Sequence, residues 1–300
     1  MRLGRFFAVD PLARQYPHNS PYAFSENVVI NAIELEGREM SFSYNSVNVE
    51  NISNNKSKVQ ISYDVDIHIK VLNITKDKSK ITGIDKLASG VQKRMNSTFG
   101  NMAGNAIFTP THDLSGNPLT KDNLLKQVNV NATQRKFNIT MEVVDDISEI
   151  SGDDYVLILT DKQLNKTRKY DSSVHVPAYA SQANGQAMIV NMKEFGIKKS
   201  VVGNEYSFSG TTGTMVNVIN HEFGHLLGLL DKYKDTKDGY ILPDEFKTNV
   251  MGDSRYQGLN KEQKTEIIFQ QLLRYNSYNR SGEANTGAKE QTQEILSDEN

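Results

Sequence analysis

The residues best suited to bind a metal ion or to catalyse a reaction lie in the segment HEFGHLLGLLD, which runs from His221 to Asp231. His221 and His225 are four positions apart, so on an α-helix their imidazole rings lie one turn apart on one face and can bind the same Zn²⁺ ion. Glu222 follows the first histidine and can act as a general base towards a water molecule. Asp231 offers a carboxylate as third ligand, which leaves a fourth position open, as in catalytic rather than structural zinc sites.

The helix that carries these residues is predicted to be buried and to end at Gly228. Glycine tolerates the left-handed conformation that turns a chain away from a helix, and such a turn would bring Asp231 back to the histidines. The flanking residues are apolar nearly all round the helix, which argues against a solvated helix face. They are Met215, Val216, Val218, Ile219, Phe223, Leu226, Leu227, Leu229 and Leu230. Polar groups on a buried helix need partners, and a metal ion can satisfy all of them.

The pattern HExxHxxGxxD, followed by a methionine in a tight turn, resembles the metzincin clan of zinc endopeptidases, in the variant whose third ligand is aspartate. The resemblance implies that His221, His225 and Asp231 are zinc ligands and that Glu222 is the general base. It also implies that Met251 is an apolar floor beneath the metal, in a turn that Gly252 suits; otherwise Met251 is an ordinary core residue. Many metzincins have a tyrosine two residues after this methionine, where this chain has Asp253, and Tyr256 lies further along.

Glu245 is a competing candidate for the third ligand. It stands 20 residues after His225 and follows Leu242-Pro243-Asp244, a pattern that can start a helix. Another class of zinc proteases takes a glutamate ligand from such a later helix. That class requires neither Gly228 nor the methionine turn, so Asp231 is the preferred ligand and Glu245 is the alternative.

The elements that must position the motif follow from alternation and helical periodicity of apolar residues. The predicted strands cover 59–63, 65–71, 137–144, 155–160 and 186–191. An amphipathic helix is expected from Ile84 to Met95, and a C-terminal helix from Lys261 to Tyr275. The expected fold class is α+β: a metzincin-like zincin with a twisted mixed sheet, a backing helix, the active-site helix, the Met-turn and a C-terminal helix.

The strand just before the active-site helix is a candidate for substrate binding. In metzincins this strand is an antiparallel edge that pairs with the extended main chain of the substrate, and here it corresponds to Gln186–Asn191. Met188, Ile189 and Val190 are therefore candidate substrate-binding residues, with an ordinary sheet strand as the alternative. The remaining histidines are expected at the surface or in loops: His18, His68, His112 and His175.

Composition favours a soluble enzyme and excludes several other classes. The 300 residues are 37% hydrophobic, enough for a sizeable core in one large or two smaller domains. A net charge of −2 gives no electrostatic footprint for nucleic acid. The lack of cysteine excludes disulfides, thiolate metal sites and a cysteine nucleophile. No apolar run reaches the roughly 18 residues of a membrane span, and Asp10 and Pro11 cut the N-terminal run too short for a signal peptide.

The first 40 residues form a different kind of sequence, rich in proline and tyrosine and without a core of its own. They resemble the C-terminal end of the core of RHS/YD-repeat proteins, in the segments GRF, VDPLA, YP, SPYAF and ELEG between Gly4 and Gly37. Proteins of that family build a large β-shell followed by a variable C-terminal domain, often a toxin. Many shells release it by self-cleavage near a DPxG signature, but this chain reads ELEG there, with Val29 in place of an upstream proline. Aspartate-driven self-cleavage is therefore not expected.

The sequence predicts four segments. They are an RHS-like segment at 1–40, a polar linker at 41–57, a zincin-like metallopeptidase domain at 58–275 and a disordered tail at 276–300. Because the shell itself is missing, the chain is expected to be a fragment of a longer protein, a displaced cassette or a truncated gene product.

The expected function is a zinc-dependent endopeptidase that is the secreted or delivered effector domain of a bacterial RHS-type toxin. Its expected partners are a peptide or protein substrate, a cognate immunity protein and the RHS shell, with no nucleic acid and no membrane span. One alternative is a non-catalytic tip or adhesion module in which zinc stabilises the fold. Glu222 argues against that alternative, because a structural site has no use for a carboxylate beside an open metal position. Another alternative is a protease that trims its own carrier.

Overall fold

The computed structural model describes most of the chain after residue 40, and every structural statement below refers to these residues. They are 41–53, 56–100, 102–108, 127–152, 154–183, 185–201, 203–208, 213–237, 239–268 and 287–299. Three parts of the chain lie outside the described residues: residues 1–40 with His18, the segment that contains His112, and the end of the predicted helix beyond residue 268. The chain divides after Arg38, and all the described residues belong to the unit Glu39–Asn300.

The described elements are thirteen strands and four α-helices. In chain order they are β1 (Ser41–Ser53), β2 (Lys56–Asn73), β3 (Lys80–Thr82), α1 (Ile84–Phe99), β4 (Met102–Phe108), β5 (Gln127–Val144), β6 (Tyr155–Thr160), β7 (Thr167–Arg168), β8 (Asp171–His175), β9 (Ala178–Ala180), β10 (Ala187–Asn191), β11 (Glu205–Ser207), α2 (Gly213–Leu226), β12 (Lys234–Thr236), β13 (Gly239–Ile241), α3 (261–268) and α4 (Gly287–Asp298). Among these residues, no helix has both the length and the apolar character needed to cross a membrane.

Seven strands form one mixed sheet. Its order is β4-β5-β2-β6-β10-β9, and β1 also pairs with β2. Strands β5, β2, β6 and β10 run parallel, whereas β1, β4 and β9 join antiparallel. Because β5 occupies one edge of β2, the other edge is shared by β1 over Lys56–Asp66 and by β6 over Ile69–Asn73. The described part is therefore a mixed α/β fold with a mixed sheet and four helices, consistent with the expected α+β class.

Helices α1 and α2 pack on one face of the sheet. Strand β2 turns every second side chain from Tyr63 to Val71 towards this face, and all of them are buried. Helix α1 buries residues at helical spacing: Leu87, Val91, Met95 and Phe99. Phe223 of α2 reaches the sheet, where its ring lies 6.1 Å from Phe137 of β5 and 5.1 Å from Tyr155 of β6. Each such buried ring contributes about 1.5–3 kcal/mol to folding, so these contacts fix α2 firmly on the sheet.

Helix α4 packs on the opposite face, and the prediction of a disordered tail is wrong for Gly287–Asp298. Only three of its residues are buried: Ala288, Thr292 and Ile295. Hydrogen bonds with distant residues complete the contact. Gln291 Oε1 accepts from Ser181 Oγ and from the Gln186 N–H, both at 2.7 Å. Composition gave no sign of this helix because polar groups provide much of its attachment.

The predicted linker at 41–57 is also wrong, because these residues form β1 and the start of β2. The two strands pair antiparallel from Ser41↔Asp66 to Ser53↔Lys56. The described side chains of β1 are exposed: Asn45, Ser46, Asn48 and Glu50. A strand whose side chains face solvent can be as polar as a loop, so composition could not separate the two. The predicted strands 59–63 and 65–71 are parts of the single strand β2.

Candidate metal centre

Three residues of the motif bring one ligand atom each to a common point. Oδ1 of Asp231 lies 3.2 Å from Nε2 of His221 and 3.4 Å from Nε2 of His225. Tetrahedral zinc with bonds of about 2.0–2.1 Å to nitrogen and oxygen requires neighbouring ligand atoms to lie about 3.3 Å apart. The three ligand atoms all lie within 4.8 Å of one another. This group can therefore hold a metal ion. His221 is buried, whereas the Asp231 side chain is 37% exposed, so the group lies at the protein surface.

Both histidines are oriented by main-chain carbonyl groups. Nδ1 of His221 lies 2.8 Å from the Val250 carbonyl oxygen, and Nδ1 of His225 lies 2.8 Å from that of Leu229. A carbonyl oxygen only accepts, so each Nδ1 carries a hydrogen, and in the neutral imidazole Nε2 has the lone pair that can bind a metal ion. Such partners fix the ring orientation and raise the basicity of metal-binding imidazoles. Both lone pairs are thus prepared for a cation beside Asp231.

The turn after α2 performs two tasks. Gly228 has φ +96°, a conformation that residues with a side chain rarely adopt. The Leu229 N–H donates to the Gly224 carbonyl at 2.9 Å, and the Gly228 N–H donates to the His225 carbonyl at 2.8 Å. This pair of bonds is the Schellman motif that ends many helices. The turn reverses the chain towards Asp231 and presents the Leu229 carbonyl to the second histidine.

Met251 packs directly against the helix turn between the two histidines. It is fully buried, and a Cβ built on Gly224 would lie 2.5 Å from its sulfur atom. The chain turns tightly here, since the Gly252 N–H donates to the Asn249 carbonyl at 3.0 Å. The Met251 carbonyl accepts from the Lys232 N–H at 2.9 Å, which ties the turn to the residue after Asp231. Sequence reasoning missed the role of Gly224, although a glycine between the two histidines was a visible signal.

The charges around the site favour a bound cation. Burial opposes protonation of His221, but its hydrogen bond with Asp231 and the charge of nearby Glu222 raise its pKa to about 9. Burial likewise opposes protonation of His225, but its hydrogen bond with Asp231 and the charge of Glu222 raise its pKa. Burial also opposes ionisation of Asp231, yet its hydrogen bonds with both histidines hold its pKa far below the usual range. Glu222 is itself buried beside the histidines. The group therefore stabilises positive charge between two carboxylates.

The alternative ligand does not join the group. Glu245 lies exposed in the short helical turn Asp244–Phe246 and is not among the residues whose ligand atoms converge. Asp253, at the position of the metzincin tyrosine, forms an ion pair with Arg255 at 2.6 Å. The hydrogen bonds from Arg255 lower the pKa of Asp253, so its charge is already balanced.

The other described histidines have their own partners. His68 is not at the surface as expected, since its side chain is only 16% exposed between Glu142 at 3.4 Å and Asp154 at 3.6 Å. His175 is partly buried, with Nδ1 2.5 Å from the Leu164 carbonyl oxygen. Neither belongs to the group at Asp231.

The structure does not place the candidate substrate strand at an edge. Strand β10 lies between β6, to which it is parallel, and β9, to which it is antiparallel. Met188, Ile189 and Val190 are fully buried, so neither their side chains nor their paired main chain can receive a substrate. The edge strand is β9, which also contacts α2. The sequence pattern does not reveal this edge strand, because β9 has only three residues.

A comparison with protein-family models finds no match for this chain, and a comparison with curated proteins finds none either.

Proposed function

We propose that this chain is a zinc-dependent endopeptidase with a metzincin-like site. The observation that carries the proposal is the convergence of two Nε2 atoms and one carboxylate oxygen at tetrahedral spacing, beside the buried Glu222. Three protein ligands leave one of four tetrahedral positions for water or substrate, which is the arrangement of catalytic zinc. His221, His225 and Asp231 are the proposed ligands, and Met251 is the apolar floor beneath them.

The residues of the site have separate roles in the proposed reaction. Zinc, when bound, supplies a Lewis acid that polarises the scissile carbonyl and makes water easier to deprotonate. Glu222 accepts the proton of the attacking water on its carboxylate and then delivers it to the leaving amine. The carbonyls of Val250 and Leu229 hold the two imidazoles in place throughout. No covalent intermediate with the protein is required.

We place the substrate main chain on the outer edge of β9. The Asn191 N–H donates to the Pro177 carbonyl at 2.9 Å, and the Ser181 N–H donates to the Ala187 carbonyl at 2.8 Å. Alternate residues of an antiparallel strand bond to opposite sides, so Ala178 and Ala180 direct their N–H and C=O groups away from β10. An extended peptide can add to such an edge by main-chain hydrogen bonds alone. The contact of β9 with α2 puts that peptide beside the motif helix.

The activity is tested with the Glu222→Gln variant of the full chain on a peptide library. Glutamine keeps the shape of the side chain but cannot accept the proton, so turnover should fall about 10²- to 10⁴-fold while the zinc content stays unchanged. Glu245→Gln, at the exposed glutamate nearby, is the matched control and should keep full activity. Appreciable turnover by Glu222→Gln with zinc occupancy confirmed would remove Glu222 from this role.

We further propose that the peptidase is the effector domain of an RHS-type toxin. The support is the succession of an RHS-like segment at 1–40 and the zinc-protease motif, since the domain that follows an RHS core is often a toxin. The full chain and its Glu222→Gln variant should be expressed in a bacterial host, in the cytoplasm and in the periplasm. Growth arrest that requires Glu222 is expected in at least one compartment. Equal growth of both strains in both compartments, with peptidase activity proven in vitro, would contradict a bacterial target and favour either a eukaryotic target or trimming of the carrier.

A further inference from the structure

A buried pair of amide side chains lies behind the turn that contains Met251. Asn249 and Gln263 are 4% and 1% exposed. Asn249 Nδ2 donates to Gln263 Oε1 at 2.6 Å, and Gln263 Nε2 donates to Asn249 Oδ1 at 3.3 Å. The two side chains thus bond to each other in both directions.

Each amide also holds a backbone element. Asn249 Oδ1 accepts from the Met251 N–H at 2.9 Å, which fixes the tight turn. Gln263 belongs to the first turn of α3, where its Oε1 accepts from the Asn260 N–H at 3.0 Å and its own N–H donates to Asn260 Oδ1 at 2.8 Å. This reciprocal arrangement is a capping box, which defines where a helix begins. The amide pair therefore connects the start of α3 to the turn.

The turn in question faces the metal centre with three groups. The Val250 carbonyl orients His221, the Met251 carbonyl accepts from the Lys232 N–H beside Asp231, and the Met251 sulfur fills the space at Gly224. None of these groups would keep its position if the Met251 backbone moved. The connection runs from α3 through two amides to one histidine and to the neighbour of the carboxylate ligand.

We infer that Asn249 and Gln263 are positioning residues for the metal centre. They touch no ligand atom, and they act by holding the Val250 carbonyl against Nδ1 of His221 and the Met251 segment against α2. The inference rests on the proposed zinc site but not on peptidase activity. Loss of a hydrogen-bonding partner outside the ligand set commonly weakens metal binding by roughly 10- to 100-fold, and an effect of that size is expected here.

The test compares Gln263→Leu with Gln186→Leu in the full chain. Gln186 is an equally buried glutamine, and its Nε2 donates to the carbonyls of Gly152 and Asp154 at 2.8 and 3.2 Å, neither of which belongs to the group of His221, His225 and Asp231. Zinc affinity is measured by competition with a chromophoric chelator, ligand geometry by the visible spectrum of the Co²⁺ form, and folding by thermal melting without metal. Both variants should melt at lower temperature. Only Gln263→Leu should bind zinc more weakly and alter the Co²⁺ spectrum.

The outcomes separate this inference from the proposed function. A folded Gln263→Leu protein with wild-type zinc affinity and Co²⁺ spectrum would overturn the inference. If that variant does not fold, Gln263→Glu decides, because the glutamate keeps both acceptor contacts and puts an oxygen in place of the Nε2 donor, against Asn249 Oδ1. Weaker zinc binding by Gln263→Glu supports the inference, and unchanged binding rejects it. A wild-type protein that binds zinc but hydrolyses no peptide would refute the peptidase proposal alone.

Discussion

The two faces of the main sheet are stabilised in different ways. On the face of α1 and α2, aromatic and aliphatic side chains interlock, and Phe223 alone contacts rings on two strands. On the other face, α4 adds only two buried apolar residues, Ala288 and Ile295, to the core cluster. Its Gln291 bonds to residues that are 105 and 110 positions away in the chain. The first face carries the candidate metal centre, whose three residues lie within one short segment. The second face depends on contacts that no local pattern contains. This difference explains which parts of the molecule were predictable.

The two faces meet at the edge strand β9. Ala178 and Ala180 pair with Val190 and Met188, whereas Tyr179 between them pairs with Ile189 and joins the cluster that includes Ala288 and Ile295 of α4. The Tyr179 hydroxyl also donates to Glu299 at 2.9 Å. Helix α4 therefore supports from behind the strand that we propose to bind substrate. Substitutions on the face of α1 and α2 should change zinc affinity, and substitutions on the face of α4 should change stability without changing zinc affinity.

The largest effect is expected on the site face, from Asp231→Ala. Removing the carboxylate leaves two histidines, so zinc should be lost from protein dialysed against micromolar metal, while Glu245→Ala should keep one zinc per chain. Metal analysis of the two dialysed variants, with thermal melting to confirm folding, makes the comparison. Zinc retained in Asp231→Ala and lost in Glu245→Ala would reverse the assignment of the third ligand.

The sequence predicted the ligand group because its geometry is local. Helical periodicity places His221 and His225 together, and only a glycine such as Gly228 readily gives the reversal that returns Asp231. Helix α1 and strand β6 were equally predictable from the sequence. The apolar residues of α1 recur at the spacing of one buried helix face, and those of β6 form the continuous run of a fully buried strand.

The rest could not be predicted from local patterns. Strand β9, with only three residues, takes the edge of the sheet beside β10. The order of strands depends on pairing between segments that are distant in the chain, such as β10 with β6. Helix α4 has a polar composition, and its place is set by Gln291 and by the fit of Ile295. The amide pair behind Met251 joins residues 14 positions apart that carry no motif.

The second prediction concerns the α4 face. Ile295 is 2% exposed, so Ile295→Ala should lower the free energy of unfolding by about 2–5 kcal/mol, because it removes buried methyl groups and leaves a cavity. Zinc affinity should not change, since no ligand or ligand partner lies on α4. Denaturant unfolding measures the first quantity and chelator competition the second. Ile107→Ala, at an isoleucine that is 63% exposed, is the control and should change stability little. A melting curve of Ile295→Ala that matches the wild type would mean that α4 does not pack as described.

The third prediction returns to the site face. Gly228→Ala puts a side chain at φ +96°, which should cost about 1–2 kcal/mol of stability. Any relaxation of the turn also moves the Leu229 carbonyl away from His225, so zinc affinity should fall together with stability. Gly213→Ala, at the other end of the same helix, meets no atom within 4 Å and should be neutral or slightly stabilising. Unchanged zinc affinity in a destabilised Gly228→Ala protein would show that the Leu229 carbonyl does not matter for binding.

The smallest effect, from Tyr179→Phe, tests whether the two faces communicate. Burial and the nearby Glu299 raise the pKa of the Tyr179 hydroxyl, so it remains a protonated donor to that carboxylate throughout the neutral pH range. Losing this bond should cost about 0.5–1.5 kcal/mol of stability and leave zinc affinity unchanged. If β9 binds the substrate, a less firmly held strand should raise KM a few-fold while kcat stays nearly constant, because Glu222 and the ligands are untouched. Tyr170→Phe, at an exposed tyrosine, controls for loss of a hydroxyl and should alter neither parameter. A fall in kcat without a change in KM would place the influence of α4 on the catalytic groups and not on the substrate strand.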